Sequence, residues 1–338
     1  MSELESEIDS LAIETDFSGV VRIEEGDRVR VAKAYGLAHR GYMIPNAVET
    51  RFAIASGAKG LTALTVVALI EDGALSLSTR ARSVLGSDLP LIHDEVTVEQ
   101  LLAHRSGIGD YLDEEAEPDR HDYLMPVPVY ELAATEQYLV ALAGHEMKFS
   151  PGERFGYSNS GYVVLALIAE RVSGVAFHEL VRRRVCEPAG MQDTAFLRSD
   201  ELPERTAVGY LDTAGLRTNV FHLPVRGSGD GGIYTTAADM SVFWRMLFAG
   251  GIVGKQRVAE MMRPRSATSS GTRAYGLGFW LKPSTGTVML VGQDAGVSFG
   301  SQHEPESGLT TTVLSNTTEG ASPIMQLVAE RLWPGPAA

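Results

Sequence analysis

The feature that constrains this chain most is a serine and a lysine, three residues apart, at the start of an apolar helix. Ser56 and Lys59 lie in the run from Ile54 to Leu61. Residues at this spacing share one face of a helix, so the hydroxyl and the ammonium can meet above its first turn. A serine hydroxyl is a weak nucleophile without a neighbouring base or cation, and the lysine supplies one. A helix cap with a lysine that reaches solvent fits the same pattern, so partners elsewhere must decide between them.

Composition and charge exclude several classes of protein. The chain has 338 residues, 44% hydrophobic and 21% charged, as expected for one large or two medium globular domains. A net charge of −14 argues against nucleic-acid partners. The single cysteine, Cys186, excludes an intramolecular disulfide. The first residues lack a signal-peptide pattern and no apolar run is long enough to cross a bilayer, so we expect a cytoplasmic protein without membrane contact.

Strand-like segments lie near both ends of the chain, and helix-like segments fill the middle. Strands are predicted at residues 18–23, 29–32, 277–281, 288–291 and 309–314. Helices are predicted from Ser56 to a stop at Gly73, and at residues 97–102, 130–143, 160–172, 177–186, 240–248 and 324–332. The predicted fold class is α/β (α+β): an antiparallel sheet flanked by helices and built from both termini, plus an inserted all-helical part. Residues 1–75 and 231–338 would form the sheet domain, residues 76–230 the mainly helical domain, and their interface the active site.

An acidic segment interrupts the helical part of the chain. Between residues 110 and 122 the acidic residues are Asp110, Asp113, Glu114, Glu115, Glu117, Asp119 and Asp122. Its polarity predicts a long loop, either as solvated surface or as a lid over a site.

A candidate partner for Ser56 lies just before the predicted helix at residues 160–172. Tyr157 follows a glycine there, and Asn159 comes two residues later. A tyrosine beside positive groups can have a lowered pKa and accept the serine proton as a general base. The amide of Asn159 can bridge the lysine and a substrate carbonyl, because it both donates and accepts. A turn in which Ser158 and Asn159 cap the next helix fits the same residues.

Four segments, in this order, resemble those of the serine β-lactamase and penicillin-binding-protein-like superfamily. The likeness is to its class C-like branch, which includes family VIII carboxylesterases and DD-peptidases. The segments are residues 56–59, 101–108, 157–162 and 231–239, and the resemblance covers about residues 18 to 332. It implies a β-lactamase/transpeptidase-like fold, Ser56 as the acylated nucleophile, and Lys59 and Tyr157 as its acid–base pair. It also implies a supporting role for Asn159 and neither a metal nor an organic cofactor.

The third motif of that superfamily departs from its usual form. A lysine or histidine, a small residue and a glycine are replaced here by Gln293-Asp294-Ala295-Gly296. The missing cation would help to hold a substrate carboxylate, so we expect neutral or cationic substrates to be preferred. The resemblance assigns the backbone N–H groups of Gly296 and Ser56 to the oxyanion hole. Gln293 could donate a hydrogen bond to a neutral substrate.

The sequence therefore predicts a serine hydrolase that forms an acyl-enzyme on Ser56 with a small-molecule ester or amide. Hydrolysis of small neutral esters is the first expectation. Amide or peptide hydrolysis, β-lactam turnover and acyl transfer are alternatives, because one acyl-enzyme serves them all. The alternative of another class is a ligand-binding member of the fold without catalysis. Its mark would be loss of the serine, the lysine or the tyrosine, and all three are present.

Three other patterns carry less weight. Ser298 lies in a G-x-S-x-G match, the pattern of a nucleophile elbow, but a helix should follow such a serine and a turn and another strand follow here. The triad also needs a histidine later in the chain, and the only one is His303, five residues after the serine. The run from Gly227 to Gly232 matches G-x-G-x-x-G without the surrounding strand and helix of a dinucleotide site. His104 is expected to be a hydrogen-bonded structural histidine, and no histidine pair has zinc-motif spacing.

Overall fold

The computed structural model describes residues 3–114, 123–267 and 271–333. Its strands are β1 (Gly19–Glu25), β2 (Arg28–Tyr35), β3 (Leu37–His39), β4 (Ile44–Pro45), β5 (Phe52–Ala53), β6 (Tyr234–Thr235), β7 (Ser266–Ala267), β8 (Ala274–Tyr275), β9 (Trp280–Lys282), β10 (Thr287–Asp294), β11 (Val297–Glu304) and β12 (Leu309–Ser315). Its helices are α1 (Glu3–Glu14), α2 (Ala58–Glu71), α3 (Ala81–Leu85), α4 (Val98–Leu102), α5 (Leu139–Leu142), α6 (Asn159–Ser173), α7 (Phe177–Val181), α8 (Glu187–Ala189), α9 (Ala237–Ala249), α10 (Lys255–Met261) and α11 (Ala321–Leu332). Short 3-10 turns span Ala55–Gly57, Val129–Glu131 and Thr135–Tyr138, and a π turn at Arg182–Cys186 joins α7 to α8.

Strands from both ends of the chain form one antiparallel sheet. Its strand order is β2, β1, β12, β11, β10, β9, β8, β7. β1 pairs with β12 from Gly19 opposite Ser315 to Glu25 opposite Leu309, which joins the start of the chain to its end. Helices lie against this sheet, so the prediction of an antiparallel sheet flanked by helices and built from both termini is confirmed.

Two hydrophobic cores lie on opposite faces of the sheet. Successive residues of a strand point to opposite faces, and the neighbours Val20 and Val21 of β1 accordingly belong to different cores. The smaller core contains α1 and α11, whose residues Ile8 and Ile324 are fully buried. The larger core contains α2, α6 and α9 and continues into the helical part of the chain. α2 is buried from Ala58 to Ile70 because its apolar side chains surround it on every side, as predicted.

The predicted helix over residues 130–143 is wrong. Extended backbone breaks the segment at Leu132 and Ala134, which have ψ angles of 74° and 152°. The amide oxygen of Gln137 accepts the N–H of Ala134 at 2.8 Å and fixes this break. A local hydrogen bond of this kind competes with helix formation.

α1 and β11 are among the elements that the sequence analysis did not predict. Ser298, Gly300 and Ser301 give β11 a weak strand pattern, because small and polar residues are depleted in strands. β11 nevertheless forms, since it pairs along its length with β10 on one side and β12 on the other. Tertiary pairing therefore decides the structure of this segment.

Within the part of the chain that the structure describes, no single helix is long and apolar enough to cross a membrane. One pair, Asn159–Ser173 with Phe177–Ala189, reaches that length and composition only when joined, and it is bent by 85°.

The first prediction concerns the core beneath the candidate site. Leu165 of α6 is fully buried, and replacing it with alanine should lower the free energy of unfolding by about 2–5 kcal/mol, because a cavity is left behind. Leu216 is 66% exposed, so Leu216→Ala should change it by no more than about 0.5 kcal/mol. Urea unfolding measures both. Equal losses for the two variants would contradict this description of the core.

Candidate active site

Ser56 lies in the 3-10 turn that precedes α2. The helix itself begins at Ala58, and no side chain caps either element, so the reading of Ser56 as a helix cap is wrong. Ala55, directly before the serine, has φ 43°, in the left-handed region that residues with a side chain rarely adopt. Strained backbone of this kind persists where the surrounding structure enforces it, often at functional sites. The Ser56 side chain is half-buried and lines a cavity.

The Lys59 side chain is buried, with an exposed fraction of 1%. Its Nζ donates to Ser56 Oγ at 2.9 Å, to Asn159 Oδ1 at 2.8 Å and to the carbonyl oxygen of Asp230 at 2.8 Å. An ammonium has three N–H donors, so all three are used. Burial lowers the pKa of Lys59, while the negative charges of Asp230 and Glu114 oppose that shift. The lysine does not reach solvent and instead holds three chain segments together.

Asn159 is fixed by the start of α6 and by a buried carboxylate. Its backbone N–H donates to Asp110 Oδ2 at 2.7 Å, and that of Ser160 donates to Asp110 Oδ1 at 2.9 Å. Burial raises the pKa of Asp110, and these hydrogen bonds oppose the rise. The Asn159 side chain donates through Nδ2 to the Leu112 carbonyl at 3.0 Å and to Glu114 Oε1 at 3.3 Å. The first part of the acidic segment thus supports the candidate site, while residues 115–122 lie outside the described residues.

Tyr157 sits in an aromatic cluster beside the lysine. Its ring centroid lies 4.3 Å from that of His104 and 6.2 Å from that of Trp280, to which it is nearly parallel. Lys59 Nζ lies 5.0 Å from the centre of the Tyr157 ring. Tyr157 and Ser56 line the same cavity. The structure therefore brings Ser56 and Lys59 together with Asn159 and Tyr157, which lie far from them in the sequence.

His104 packs against Tyr157 and contacts the backbone next to it. It is buried, its φ is 54°, and its Nδ1 accepts the backbone N–H of Ser158 at 3.1 Å. Burial, and to a lesser extent the positive charge of Lys59, holds the pKa of His104 well below its usual range, so the imidazole is neutral. This hydrogen bond fits the expectation of a structural histidine.

The sheet contacts the Ser56 turn through Gly292 of β10. A Cβ at this position would lie 2.1 Å from the Ile54 carbonyl oxygen and 2.9 Å from the Ser56 nitrogen. Only glycine allows the strand to approach so closely. Two residues earlier, Leu290 is buried and packs at Gly60 of α2. β10 therefore has no cation at Gln293. It also has none at position 290, two residues before the glycine that contacts the Ser56 turn, where the residue is Leu290.

The assignment of Gly296 to the oxyanion hole is wrong. Gly296 lies in the turn between β10 and β11, and its N–H donates to Thr318 Oγ1 at 2.9 Å. Ala295 is buried there, and its carbonyl accepts Asn219 Nδ2 at 2.9 Å. Gln293 and Asp294, in contrast, line a cavity together with Ser56. Only part of the predicted third motif therefore faces the serine.

Asp230 was not identified from the sequence, because it contributes through its backbone. It belongs to the glycine-rich run that was set aside as an unlikely dinucleotide motif. A Cβ on Gly229 would lie 2.1 Å from the Tyr162 carbonyl oxygen, and the Gly229 carbonyl accepts Thr62 Oγ1 at 2.6 Å. The glycines allow this run to pack closely between α2 and α6. They are the sequence feature from which a role of the run in the site could have been predicted. The buried Asp230 carboxylate accepts a hydrogen bond from Tyr111 Oη.

Ser298, the serine of the G-x-S-x-G match, is a buried structural residue. Its Oγ donates to the Thr317 carbonyl at 2.8 Å and accepts the Ala321 N–H at 2.9 Å. It lies inside β11, and no helix follows it directly. The geometry of a nucleophile elbow is therefore absent at this serine.

Two cavities meet at Ser56. The first, of about 1050 Å³ including its open mouth, is lined by apolar side chains and by Glu114, Asp230 and Asp294. The second, of about 930 Å³ including its open mouth, is lined by Tyr157, again by Glu114, and by Arg273, a cation that the sequence analysis did not identify. A substrate carbonyl at Ser56 could thus place its two substituents in different chemical environments.

Comparison with known proteins shows the family to which the chain belongs. The sequence profile of the family described as Beta-lactamase matches residues 5–330, so the chain belongs to that family of β-lactamase-fold serine hydrolases. Penicillin-binding protein 4* of Bacillus subtilis is 26% identical over 307 residues, which cover 87% of this chain and 66% of that protein. The chain therefore spans slightly less than two thirds of the length of that protein and of a second relative from Bacillus subtilis, and 37% of the length of the protein flp of Staphylococcus aureus.

Two solved structures show the same fold. A penicillin binding protein from Bacillus halodurans is 34% identical, with a TM-score of 0.90 over 96% of this chain and 100% of that one. EstCE1, a hydrolase with promiscuous acyltransferase activity, is 22% identical, with a TM-score of 0.78 over 96% of each chain. The second likeness is one of fold alone.

The second prediction tests the close approach of β10. Gly292→Ala should displace the Ser56 turn and lower the rate of labelling by a fluorophosphonate at least about a hundredfold, because backbone atoms block the added Cβ. Gly300→Ala on β11 is the matched control. The three atoms nearest to its Cβ would all belong to the flexible Met325 side chain, so labelling should stay within about threefold. Equal labelling rates in the two variants would refute the role given to Gly292.

Proposed function

We propose that the protein is a serine hydrolase that forms an acyl-enzyme through Ser56, and that its main reaction is ester hydrolysis. The observation that carries the proposal is the buried Lys59 ammonium, which donates to Ser56 Oγ at 2.9 Å in a cavity also lined by Tyr157. Nucleophilic catalysis by serine needs such a neighbouring cation or base. Retention of all three residues argues against a member of the fold that only binds ligands.

The direction of the hydrogen bond between Lys59 and Ser56 indicates which of Lys59 and Tyr157 accepts the serine proton. Because the Lys59 ammonium donates to Ser56 Oγ, that oxygen is an acceptor and its own proton is directed elsewhere. A fully protonated lysine cannot take this proton, so Tyr157 is the proposed general base. Ser56 Oγ then attacks the substrate carbonyl, and Tyr157 returns the proton to the leaving group. Water attacks the resulting ester by the reverse sequence of proton transfers.

The proposed oxyanion hole consists of the N–H groups of Ser56 and Gln293. β10 and β11 are joined by two residues, and the residues that flank such a loop form a hydrogen-bonded pair. Asp294 and Val297 are that pair, so the next pair, Gln293 and Ser298, is not hydrogen-bonded. The Gln293 N–H would then point away from β11, towards the edge of β10 that β9 leaves unpaired beyond Met289. Two backbone donors at this place would stabilise the tetrahedral intermediate.

Ester hydrolysis comes first because β10 carries no cation for the carboxylate of a penicillin or of a peptide terminus. One observation favours amide, peptide or β-lactam hydrolysis as the second candidate. Arg273 lines the cavity of Tyr157, where it could meet a carboxylate on the leaving group. Acyl transfer would use the same acyl-enzyme. The division into residues 1–75 with 231–338 and residues 76–230, and a cytoplasmic location, are part of the same proposal.

The third prediction concerns the nucleophile. Ser56→Ala should abolish the hydrolysis of p-nitrophenyl esters and change the free energy of unfolding by about 1 kcal/mol, because a half-buried hydroxyl that accepts one hydrogen bond from Lys59 is lost. Ser298→Ala should keep the activity if it folds, since that hydroxyl faces the Thr317 carbonyl. The reverse pattern, with activity retained by the first variant and lost by the second, would exclude Ser56 as the nucleophile.

The fourth prediction concerns the acid–base pair. Tyr157→Phe and Lys59→Ala should each lower the acylation rate at least about a hundredfold. In the wild type this rate should rise with pH as the coupled pair loses a proton, with a midpoint that belongs to the pair. Loss of the cation in Lys59→Ala should raise the tyrosine pKa and move the midpoint to higher pH. A stopped-flow pH profile that neither substitution alters would contradict this mechanism.

A further inference from the structure

A third cavity is separate from the two at the serine. It measures about 600 Å³ including its open mouth, and it is lined by α7, by the π turn that follows α7 and by the residue before the glycine-rich run. Its apolar wall includes Phe196 and Ile233. Among the residues that the structure describes, its charged side chains are Glu179, Arg182 and Arg226. None of its lining residues lines either cavity at the serine.

Two of these three charges neutralise each other. The Glu179 carboxylate accepts from Arg182 Nε at 2.6 Å and from Arg182 Nη2 at 2.7 Å. It also forms an ion pair with Arg183, and Arg182 forms a second one with Glu187. Hydrogen bonds from Arg182 and then from Arg183 lower the pKa of Glu179 to about 2, so this carboxylate is ionised and paired. These four side chains together carry no net charge.

Arg226 has no counter-charge of this kind. Its side chain is half-buried, and its Nε donates to the Phe196 carbonyl at 3.0 Å. Within the described part of the chain, no carboxylate forms an ion pair with it and no acceptor binds its Nη1 or Nη2. Burial, followed by the positive charge of Arg198, lowers the pKa of Arg226. A partly desolvated charge without a partner is costly, so an anion at this place would stabilise the protein.

The backbone around Arg226 is held in place. Tyr138 Oη donates to the Arg226 carbonyl at 2.7 Å, and the Arg226 N–H donates to the Leu132 carbonyl at 3.2 Å. His178 Nε2 donates to the carbonyl of the next residue, Gly227, at 2.7 Å. Burial lowers the pKa of His178 to about 4, so this imidazole is neutral at pH 7 and adds no charge to the cavity. A guanidinium that is already oriented loses little conformational freedom when it binds a ligand.

The shape and the charge of the cavity indicate the class of ligand. The Phe196 ring packs on the His178 ring with 4.7 Å between their centroids, and Ile233 is fully buried, so the wall suits a flat apolar group. A guanidinium binds a carboxylate or a phosphate through two parallel hydrogen bonds. The single uncompensated charge of Arg226 matches one negative charge, which favours a carboxylate over a phosphate dianion.

We infer that this cavity is a second ligand-binding site, which binds a small carboxylate with an aromatic or branched apolar body. Arg226 binds the carboxylate through Nη1 and Nη2, and the side chains of Phe196 and Ile233 contact the apolar body. The site is distinct from the catalytic centre, and its existence does not depend on the proposed reaction.

Benzoate and benzamide provide the test, because they have nearly the same shape and only benzoate is charged at pH 7. Isothermal titration calorimetry should give a Kd of about 1 mM or lower for benzoate. The Kd for benzamide should be at least about tenfold higher, since a charge-assisted pair is lost. Phenyl phosphate, which carries close to two negative charges at this pH, should bind no more tightly than benzoate.

Two variants locate the site. Arg226→Gln removes the charge and should raise the Kd for benzoate at least about tenfold. Arg184→Gln is the matched control, because Arg184 lies in the neighbouring π turn but does not line the cavity, and its Kd should stay within about twofold. Circular dichroism checks that both variants are folded.

A measurement on the wild type locates the site without a substitution. Phenylglyoxal modifies accessible guanidinium groups, and mass spectrometry of the peptides follows Arg226 and Arg184 separately. Benzoate at ten times its Kd should slow the modification of Arg226 at least about fivefold by occupancy alone, and it should leave the modification of Arg184 unchanged.

Absence of benzoate binding, equal binding of benzamide, or an Arg226 that benzoate does not protect would each overturn the inference. Unchanged affinity for benzoate in Arg226→Gln would place the ligand elsewhere on the protein and overturn it too. Tighter binding of phenyl phosphate than of benzoate would reject the assignment to a carboxylate.

Discussion

The buried ammonium of Lys59 is the interaction on which the site depends. A charge with an exposed fraction of 1% is costly unless it is paired and hydrogen-bonded. Its three acceptors come from the Ser56 turn, the start of α6 and the glycine-rich run, so satisfying one charge fixes three distant segments. Their mutual placement is thereby set before any substrate arrives, and preorganisation of this kind is a principal source of catalytic power.

The sheet supplies the second constraint, through the contact between β10 and the Ser56 turn. Gly292 lets the backbone of the strand reach the backbone of the turn, and any side chain there would overlap the Ile54 carbonyl. Glycines of the 227–232 run act in the same way between α2 and α6. The sheet thus contacts the Ser56 turn, the start of α6 contacts Lys59, and two cavities open beside the serine.

The parts of the site that the sequence could predict are those with local spacing or a side-chain chemistry of their own. Ser56 and Lys59 share one helix face, and Asn159 opens an apolar helix, so each could be identified. Asp230 accepts a hydrogen bond from Lys59 through its backbone carbonyl oxygen. Every residue type has this oxygen, so the identity of residue 230 did not indicate its role. Assignment of the oxyanion donor to Gly296 failed because the register of β10 against the serine depends on tertiary packing.

The fold shows the same division. The alternating strands and the apolar helices were predictable, whereas β11, with Ser298 and Gly300, forms because two neighbouring strands pair with it. At the break within residues 130–143, the amide oxygen of Gln137 accepts the N–H groups of Ala133 and Ala134. Long-range pairing and single local contacts of this kind are weakly encoded in hydrophobic patterns.

The most direct test of the central claim is to locate the acyl-enzyme itself. Wild-type protein is mixed with an excess of p-nitrophenyl ester, quenched in acid within the first turnover, digested and analysed by mass spectrometry. The account predicts an added acyl mass on the peptide that contains Ser56, and on no other serine. An acyl group on Ser298, or steady turnover with no acylated peptide at any time, would contradict it.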